Sequence, residues 1–137
     1  MDYDVTFALV SQYTTILSII ALVATQGYNL HQIEVKTGFL HGSLKEEVYL
    51  EQTHGFEVQD RRTHVCKLKK SLYGFKQAPN AWYERIDSYL MKLGFTRSDV
   101  DPNLYFKVEK DMPLILVLYV NDLYLTGADP LIYQCKR

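Results

Sequence analysis

Residues 114–126 read LILVLYVNDLYLT, two apolar runs on either side of an Asn-Asp dipeptide. Short apolar runs bounded by turn residues are typical of β-strands. Asn and Asp tolerate positive φ and suit the two-residue turn of a hairpin. The stretch therefore predicts antiparallel strands at 114–120 and 123–126, with Asn121 and Asp122 presented at the tip between them.

The residues before this hairpin predict a third strand and a helix. Residues 103–108 are a strand candidate, which a Lys-Asp-Met-Pro turn at 110–113 joins to the hairpin as a three-stranded meander. Further upstream, Pro79 begins a segment with helical spacing of its apolar residues, and Gly94 follows it where a C′ glycine is expected. The apolar residues of this predicted helix are Trp82, Ile86, Tyr89, Leu90 and Leu93.

A second helix is predicted near the N-terminus. Residues 13–26 are apolar on nearly every face, which is typical of a buried helix. Thr14 and Thr15 offer capping hydroxyls at its start, and Gly27 ends the pattern.

The residues after this helix predict a strand and a hairpin. Residues 28–35 are rich in β-formers and place Ile33 and Val35 on one face and Glu34 on the other. Residues 48–50 and 65–68 are short strand candidates on either side of a polar loop, and they predict a second hairpin.

The composition is that of an ordinary globular domain. The 137 residues include 15 Lys or Arg and 16 Asp or Glu, a formal net charge of −1, and 47% of them are hydrophobic. These values exclude extensive disorder, and the length excludes a second full domain. The small net charge excludes a global field that would hold the chain to nucleic acid or to an anionic membrane.

Charge is nevertheless clustered locally. Residues 61–83 contain six basic side chains and no acid, whereas residues 34–60 contain six acids. Aromatic residues lie among these cations, a pattern typical of a groove for a nucleic-acid strand or a nucleotide, although a solvated loop gives the same charge run. The basic residues are Arg61, Arg62, Lys67, Lys69, Lys70 and Lys76, and the aromatic ones Tyr73, Phe75, Trp82 and Tyr83.

Several kinds of site and location are excluded. Cys66 and Cys135 have no CxxC partner, which indicates neither a disulfide framework nor a zinc site, and the four histidines lack metal-ligand spacing. The longest apolar runs, 16–24 and 114–120, are shorter than the roughly 18–20 residues that span a bilayer. The acidic N-terminus lacks the basic region of a secretory signal, so we expect an intracellular protein.

Five short motifs occur in an order that indicates a family. They are DYDVTF at 2–7, QIEVKTGFLHG at 32–42, EEVYLEQ at 46–52, SLYGFKQAP at 71–79 and YVND at 119–122. Together they resemble the reverse transcriptase of Ty1/copia-type LTR retrotransposons. The resemblance extends from residue 2 to about residue 128.

The resemblance implies RNA-directed DNA synthesis on a primer-template, with dNTP substrates. In this chemistry two Mg²⁺ ions about 3.5–4 Å apart activate the primer 3′-hydroxyl and stabilise the departing pyrophosphate. The family holds them with an Asp at the end of a strand and an Asp-Asp pair at a hairpin tip. The matching catalytic positions are Glu34, Asn121 and Asp122. Glu34 and Asp122 keep a metal-binding carboxylate, and we expect them to lie side by side.

The chain departs from the family pattern at both main ligands. Glu34 has an extra methylene, which moves its carboxylate by roughly 1–1.5 Å where sites need precision of about 0.5 Å. Asn121 offers a neutral oxygen to a cation that prefers carboxylates. Leu17 and Asn80 also replace residues that are commonly Arg in the family. These departures imply weakened Mg²⁺ binding and a catalytically inactive copy.

Other matching positions are retained, and the resemblance assigns them to nucleotide and template binding. Phe39 matches the bulky residue that faces the sugar 2′ position and excludes ribonucleotides, although an aromatic residue of the core would fit the same pattern. A second group of residues matches the motif that packs under the templating base pair and the incoming dNTP. Tyr119 precedes the positions of the family's Asp-Asp pair, which are Asn121 and Asp122 in this chain. The members of that group are Tyr73, Gly74, Lys76, Gln77 and Pro79.

The implied fold class is α+β, a fingers and palm arrangement in which helices back an antiparallel palm sheet. Residues 28–41 and 73–128 would form the palm, residues 1–27 and about 42–72 the fingers, and residues 129–137 a truncated tail. The thumb and ribonuclease H modules are expected to be absent. Two alternatives stay open: an active polymerase completed by another chain, and a non-enzymatic module that binds nucleic acid or protein.

Overall fold

An antiparallel sheet of five strands and two α-helices organise the described part of the chain. The structure, a computed structural model, describes residues 10–43, 47–58, 63–74, 78–128, 130 and 132. In chain order the elements are α1 (Tyr13–Gln26), β1 (Asn29–Glu34), a 3₁₀ helix (Gly38–His41), β2 (Tyr49–Glu51), β3 (Val65–Lys67), α2 (Ala78–Lys92), β4 (Thr96–Arg97), β5 (Leu104–Glu109), β6 (Met112–Tyr119) and β7 (Asp122–Gly127).

The large sheet has the spatial order β1-β7-β6-β5-β4, and each described pair in it is antiparallel. The predicted meander is therefore confirmed as β5-β6-β7. Its first turn is shorter than predicted, because Met112 and Pro113 already pair with β5. Lys110 and Asp111 form the turn, and both have the positive φ that a two-residue type I′ turn requires.

The turn between β6 and β7 is displaced by one residue from the predicted one. Tyr119 pairs with Asp122, so the two turn residues are Val120 and Asn121, and Asp122 is the first residue of β7. The prediction of an Asn121-Asp122 tip is thus wrong. The register that buries Leu123 decides the outcome, because a slip of one residue would turn every side chain of the strand to the opposite face.

Helix α2 packs against one face of the sheet, as predicted. Its buried residues recur every four positions, at Ala78, Trp82, Ile86 and Leu90, whereas Tyr89 lies off this stripe and is exposed. A side chain fully removed from water contributes about 1.5–3 kcal/mol, so this stripe is a main source of stability. The core around it consists of Phe95, Tyr105, Leu114, Leu116, Leu118, Leu123, Leu125 and Ile132.

A partly buried polar link joins α2 to strands β4 and β5. The hydroxyl of Tyr105 donates a hydrogen bond to Asp87 Oδ1 at 2.8 Å, and Arg97 Nη1 donates to the same oxygen at 3.3 Å. Burial, together with hydrogen bonds to Tyr83 and Asp87, raises the pKa of Tyr105. Its phenol therefore stays a neutral donor, which fixes α2 over β5.

Helix α1 forms where the sequence predicts it, but it is not buried. No residue of α1 is in the buried class, and Leu17 and Ile20 are 47% and 51% exposed. A cleft of about 450 Å³ separates part of the helix from the sheet. The apolar composition predicts a buried helix, but the described part of the chain packs against only one side of α1. Among the described residues no helix is long and apolar enough to cross a membrane.

The start of α1 is capped from another part of the chain. The N-cap residue is Gln12, without a cap from its own side chain, so the predicted role of Thr14 and Thr15 is wrong. Asp101, which is 1% exposed, accepts hydrogen bonds from the Gln12 amide at 2.8 Å and from Ser11 Oγ at 2.7 Å. A carboxylate suits this end of a helix, where backbone N–H groups lack partners.

The predicted second hairpin is confirmed as β2 paired with β3, a separate two-stranded sheet. Gly42, the residue after the 3₁₀ helix, packs against α2, because an added Cβ there would lie 2.7–2.9 Å from atoms of Ala81 and Trp82. The fold class is therefore α+β, with an antiparallel sheet and two α-helices in the described part.

Candidate functional site

Two carboxylates from distant parts of the chain face each other at one end of the large sheet. Glu34, the last residue of β1, is the direct cross-strand partner of Asp122, the first residue of β7. Directly opposed residues of an antiparallel pair point to the same face with Cβ atoms about 4.5–5.5 Å apart. The expectation that Glu34 and Asp122 lie side by side is thus confirmed by the backbone register.

Within the described part of the chain, these two carboxylates have little to balance their charges. Glu34 is exposed and Asp122 half-buried. Gln32 donates a hydrogen bond from Nε2 to Asp122 Oδ1 at 3.1 Å, and Gln32 is neutral. Like charges directly opposite each other destabilise a sheet, so a bound cation would relieve a repulsion built into the register.

The turn beside the carboxylates is strained. Val120 has φ 57°, which is a rare conformation for a β-branched residue and costs of the order of 1–3 kcal/mol. Two hydrogen bonds hold the turn: Trp82 Nε1 donates to the Val120 carbonyl at 3.1 Å, and the Val35 amide donates to the Asn121 carbonyl at 2.9 Å. The turn is therefore tied both to α2 and to the residue after Glu34.

The side chain of Asn121 is held against the 3₁₀ helix. Its Oδ1 is buried and accepts no hydrogen bond from the described residues. The same atom lies 2.8 Å from where a Cβ of Gly38 would be, so only glycine leaves room for it. A buried acceptor without a partner costs about 1–3 kcal/mol, so the placement of this side chain against Gly38 lowers the stability of the fold.

The retained positions Phe39 and Tyr73 are also brought together. Their rings make an edge-to-face contact with centroids 5.4 Å apart. Ser71 fixes this contact, because its hydroxyl donates to the Phe39 carbonyl and its amide donates to the Gly42 carbonyl at 3.2 Å. The ring of Phe39 is half-buried and packs against the core, while Tyr73 is 55% exposed.

The other retained positions lie near the same elements. Gly74 has φ 87° and open space around its Cα, so the turn conformation, rather than close packing within the described residues, explains this glycine. Pro79 lies in the first turn of α2, and Tyr119 faces Asp122 across the β6–β7 turn. Lys76 and Gln77 lie outside the described residues.

The basic block is only partly described. Lys69 and Lys70 are exposed, and Lys67 forms an ion pair with Glu47. Hydrogen bonds from Lys67 and then Tyr49 lower the pKa of Glu47. This one pair is the kind expected of a solvated hairpin. Arg61, Arg62 and Lys76 lie outside the described residues, so the block stays a predicted positive surface.

Comparison with known proteins decides the family. Residues 1–136 match the sequence profile described as reverse transcriptase (RNA-dependent DNA polymerase). The chain belongs to the reverse transcriptase family. The match covers nearly the whole chain, including Glu34, the 3₁₀ helix, the β6–β7 turn and Asp122.

Curated relatives of this reverse transcriptase chain are Ty1/copia-type transposon polyproteins. It is 44% identical over 130 residues to the retrovirus-related Pol polyprotein from transposon TNT 1-94 of Nicotiana tabacum, which covers 94% of this chain and 10% of the relative. It is 38% identical over 130 residues to the Pol polyprotein from transposon RE1 of Arabidopsis thaliana, covering 95% and 9%. The chain thus spans about a tenth of the length of these relatives. No solved structure matches it.

Reverse transcriptases generally use divalent metal ions, and the residues of this site fit a pair of ions poorly. Among residues 10–43, 47–58, 63–74 and 78–128, no group of three or more His, Cys, Asp or Glu side chains is placed to hold a metal. Glu34 and Asp122 supply two carboxylates, and Asn121 supplies a neutral oxygen that is directed against Gly38. Two hard dications need more negative charge than this donor set offers.

Three residues of the site were not identified from the sequence as site residues. The sequence places Trp82 on the apolar face of the predicted helix and among the aromatic residues of the basic block, but neither pattern predicts its contact with the β6–β7 turn. Gly38 and Gln32 are parts of a motif without an assigned role. The signal that could indicate Trp82 is its chemistry, since it is the single Trp and its indole N–H needs an acceptor when buried. The contact of Gly38 depends on the path of a turn that is distant in sequence.

Proposed function

We propose that this chain is a degenerate reverse transcriptase domain of a Ty1/copia-type retrotransposon, which keeps the framework of the polymerase site and has lost catalysis. In this proposal residues 28–41 and 73–128 correspond to the palm, and residues 1–27 and 42–72 to the fingers. Primer-template and dNTP are the ligands that the framework once served.

The observation that carries the proposal is the make-up of the donor set around the β6–β7 turn. The backbone register brings Glu34 and Asp122 together, and this pairing supports a retained polymerase framework. The turn residue directly before Asp122 is Asn121, whose Oδ1 is buried without a described partner. An Asp at this position would add the charge that two cations need.

Mg²⁺ is the cofactor that the family resemblance implies. Glu34 and Asp122 are the residues that would hold it, and the ion would supply charge stabilisation for the displaced pyrophosphate. With two carboxylates, one of them on a longer stem, we propose that it binds weakly. Phe39, Tyr73 and Gly74, with Lys76, Gln77, Pro79 and Tyr119, would line the nucleotide side of this site.

Single-nucleotide addition tests the proposal. The unmodified chain, mixed with a primer-template, one dNTP and Mg²⁺ or Mn²⁺, should give no product above a buffer control. The double variant Glu34→Asp with Asn121→Asp is the matched comparison, because it changes only the donor set, and Asp122→Asn in that background is its negative control. Incorporation by the unmodified chain would show that the site is active and would overturn the proposal.

A second candidate function is a binding module without catalysis, which the exposed Lys69 and Lys70 beside the Ser71–Gly74 segment favour. Neutralised phosphates make nucleic-acid affinity fall with salt. Salt-dependent binding of a primer-template by the unmodified chain, weakened in a Lys69→Gln, Lys70→Gln variant and without nucleotide addition, would support this candidate. Binding that is independent of these lysines would reject it.

A further inference from the structure

Trp82 combines a core position with a polar contact outside the core. It is 3% exposed and lies in the middle of the buried stripe of α2. Its Nε1 donates a hydrogen bond to the carbonyl oxygen of Val120 at 3.1 Å. The indole nitrogen can only donate, and a buried donor without an acceptor is costly, so the position of Val120 and that of the indole depend on each other.

Val120 needs such external support. With φ 57° it occupies a backbone region that β-branched residues avoid. Strained residues persist only where surrounding contacts hold them in place. The surroundings here are the bond from Trp82 and the bond from the Val35 amide to the Asn121 carbonyl. Val35 directly follows Glu34, so the turn links α2 to the strand that carries one carboxylate.

Gly38 completes the contact between the indole and the turn. A Cβ at this position would lie 3.1 and 3.2 Å from two atoms of the Trp82 ring and 2.8 Å from Asn121 Oδ1. The ring, the 3₁₀ helix and the Asn121 side chain are therefore in direct contact. A displaced ring would no longer hold the turn against Gly38.

We propose that Trp82 is a positioning residue, whose indole N–H keeps the Val120-Asn121 turn in its strained form and so keeps Asp122 in register opposite Glu34. Loss of the donor lets Val120 relax toward negative φ, which moves the Asn121 carbonyl away from the Val35 amide. The inference rests on the proposed function only for the importance of the two carboxylates. Its test uses no catalysis, so either idea can fail alone.

Hydrogen exchange of the Val35 amide in the complete chain measures how often the hydrogen bond from this amide to the Asn121 carbonyl opens. Trp82→Phe removes the donor and keeps an aromatic ring, and it should speed exchange at Val35 by about fivefold or more, the equivalent of one hydrogen bond. Tyr83→Phe is the matched control: it removes one hydroxyl from the neighbouring helix residue, which donates to the Pro102 carbonyl, and should leave Val35 unchanged.

A second substitution separates positioning from general support of the core. Glycine adopts positive φ freely, so in Val120→Gly the turn should keep its conformation without the hydrogen bond from Trp82. Exchange at Val35 in the Trp82→Phe, Val120→Gly double variant should return to within about twofold of Val120→Gly alone. If Trp82→Phe does not fold, Val120→Gly alone decides, and it should slow exchange at Val35.

Three results would overturn the proposal. One is unchanged exchange at Val35 in Trp82→Phe. Another is an equal acceleration at Val35 and at central sheet amides such as Leu116 and Leu125, which would mean that the variant only lowers global stability. The third is no recovery in the double variant or, where Trp82→Phe does not fold, no slowing of exchange at Val35 in Val120→Gly. Primer extension by the unmodified chain would bear on the proposed function and not on these outcomes.

Discussion

The pair Glu34 and Asp122 shows how one register relation decides both chemistry and stability. Each strand end is unremarkable alone, yet the β1–β7 register sets the two carboxylates directly opposite each other. The hydrogen bond that Asp122 accepts comes from the neutral Gln32 amide, which leaves the repulsion between the two carboxylates in place. At the scale of single residues the site is therefore a stability cost that a cation can offset.

Asp122→Asn should raise the free energy of unfolding by about 0.2–1 kcal/mol in the presence of EDTA at low salt, because it removes a like-charge cross-strand pair. The Gln32 hydrogen bond can persist, since an Asn side-chain oxygen also accepts. Urea denaturation measures the difference, which should shrink at about 1 M NaCl, where charges are screened within about 3 Å. A variant that is less stable at both salt concentrations would contradict the repulsion.

Asn121 and Trp82 mark the limit of prediction at this scale. The resemblance placed Asn121 at the catalytic turn, but neither resemblance nor pattern could show that its Oδ1 lies against Gly38. The turn itself was predicted one residue too late, because Asn and Asp are the usual turn residues and Val is not. Tertiary bonds from Trp82 and Val35 override that local preference.

Among the elements, the strongly periodic ones were predictable. α2 and the β5-β6-β7 meander follow from helical spacing and from short apolar runs, and both formed as predicted. α1 forms at the predicted residues, but it is not buried as its apolar composition predicts. Composition states which surface an element can bury, whereas the packing of other elements decides whether that surface is covered. Asp101, which caps α1, is about 90 residues away in sequence, so no local pattern near the helix indicates this cap.

Asp101 should make the docking of α1 sensitive to acid. Burial opposes ionisation, but hydrogen bonds from Ser11, the Asn103 amide and the Gln12 amide outweigh it and lower the pKa of Asp101. A carboxyl with a lowered pKa in the folded state stabilises the fold above its unfolded pKa, near 3.9, and that stability is lost as pH falls through the lower folded value.

Asp101→Asn should therefore destabilise the chain at pH 7 by about 1.5–3 kcal/mol, the range for hydrogen bonds to a charged group. The difference from the unmodified chain should narrow below pH 4. Urea denaturation at several pH values measures both, and other carboxyls titrate alike in the two proteins. A difference that is constant from pH 7 to pH 2.5 would show that the charge of Asp101 is not what holds α1.

For the whole molecule, the central feature is the strand order of the large sheet, which brings residues far apart in sequence next to each other. Strand β1 lies beside β7, so a residue near the start of the chain and one near its end share a site. Local patterns predicted the strands but not this neighbourhood, which came from the family resemblance alone.

The most direct test of the account is a Mg²⁺ titration of the unmodified chain and of the double variant Glu34→Asp with Asn121→Asp, followed by the amide resonances of residues 34 and 122. Affinity for hard cations rises with the number of carboxylate ligands and depends on their placement. We predict millimolar or weaker binding by the unmodified chain and binding at least about tenfold tighter by the variant. Equal affinities, or tight binding of Mg²⁺ by the unmodified chain, would contradict the claim that its donor set is deficient.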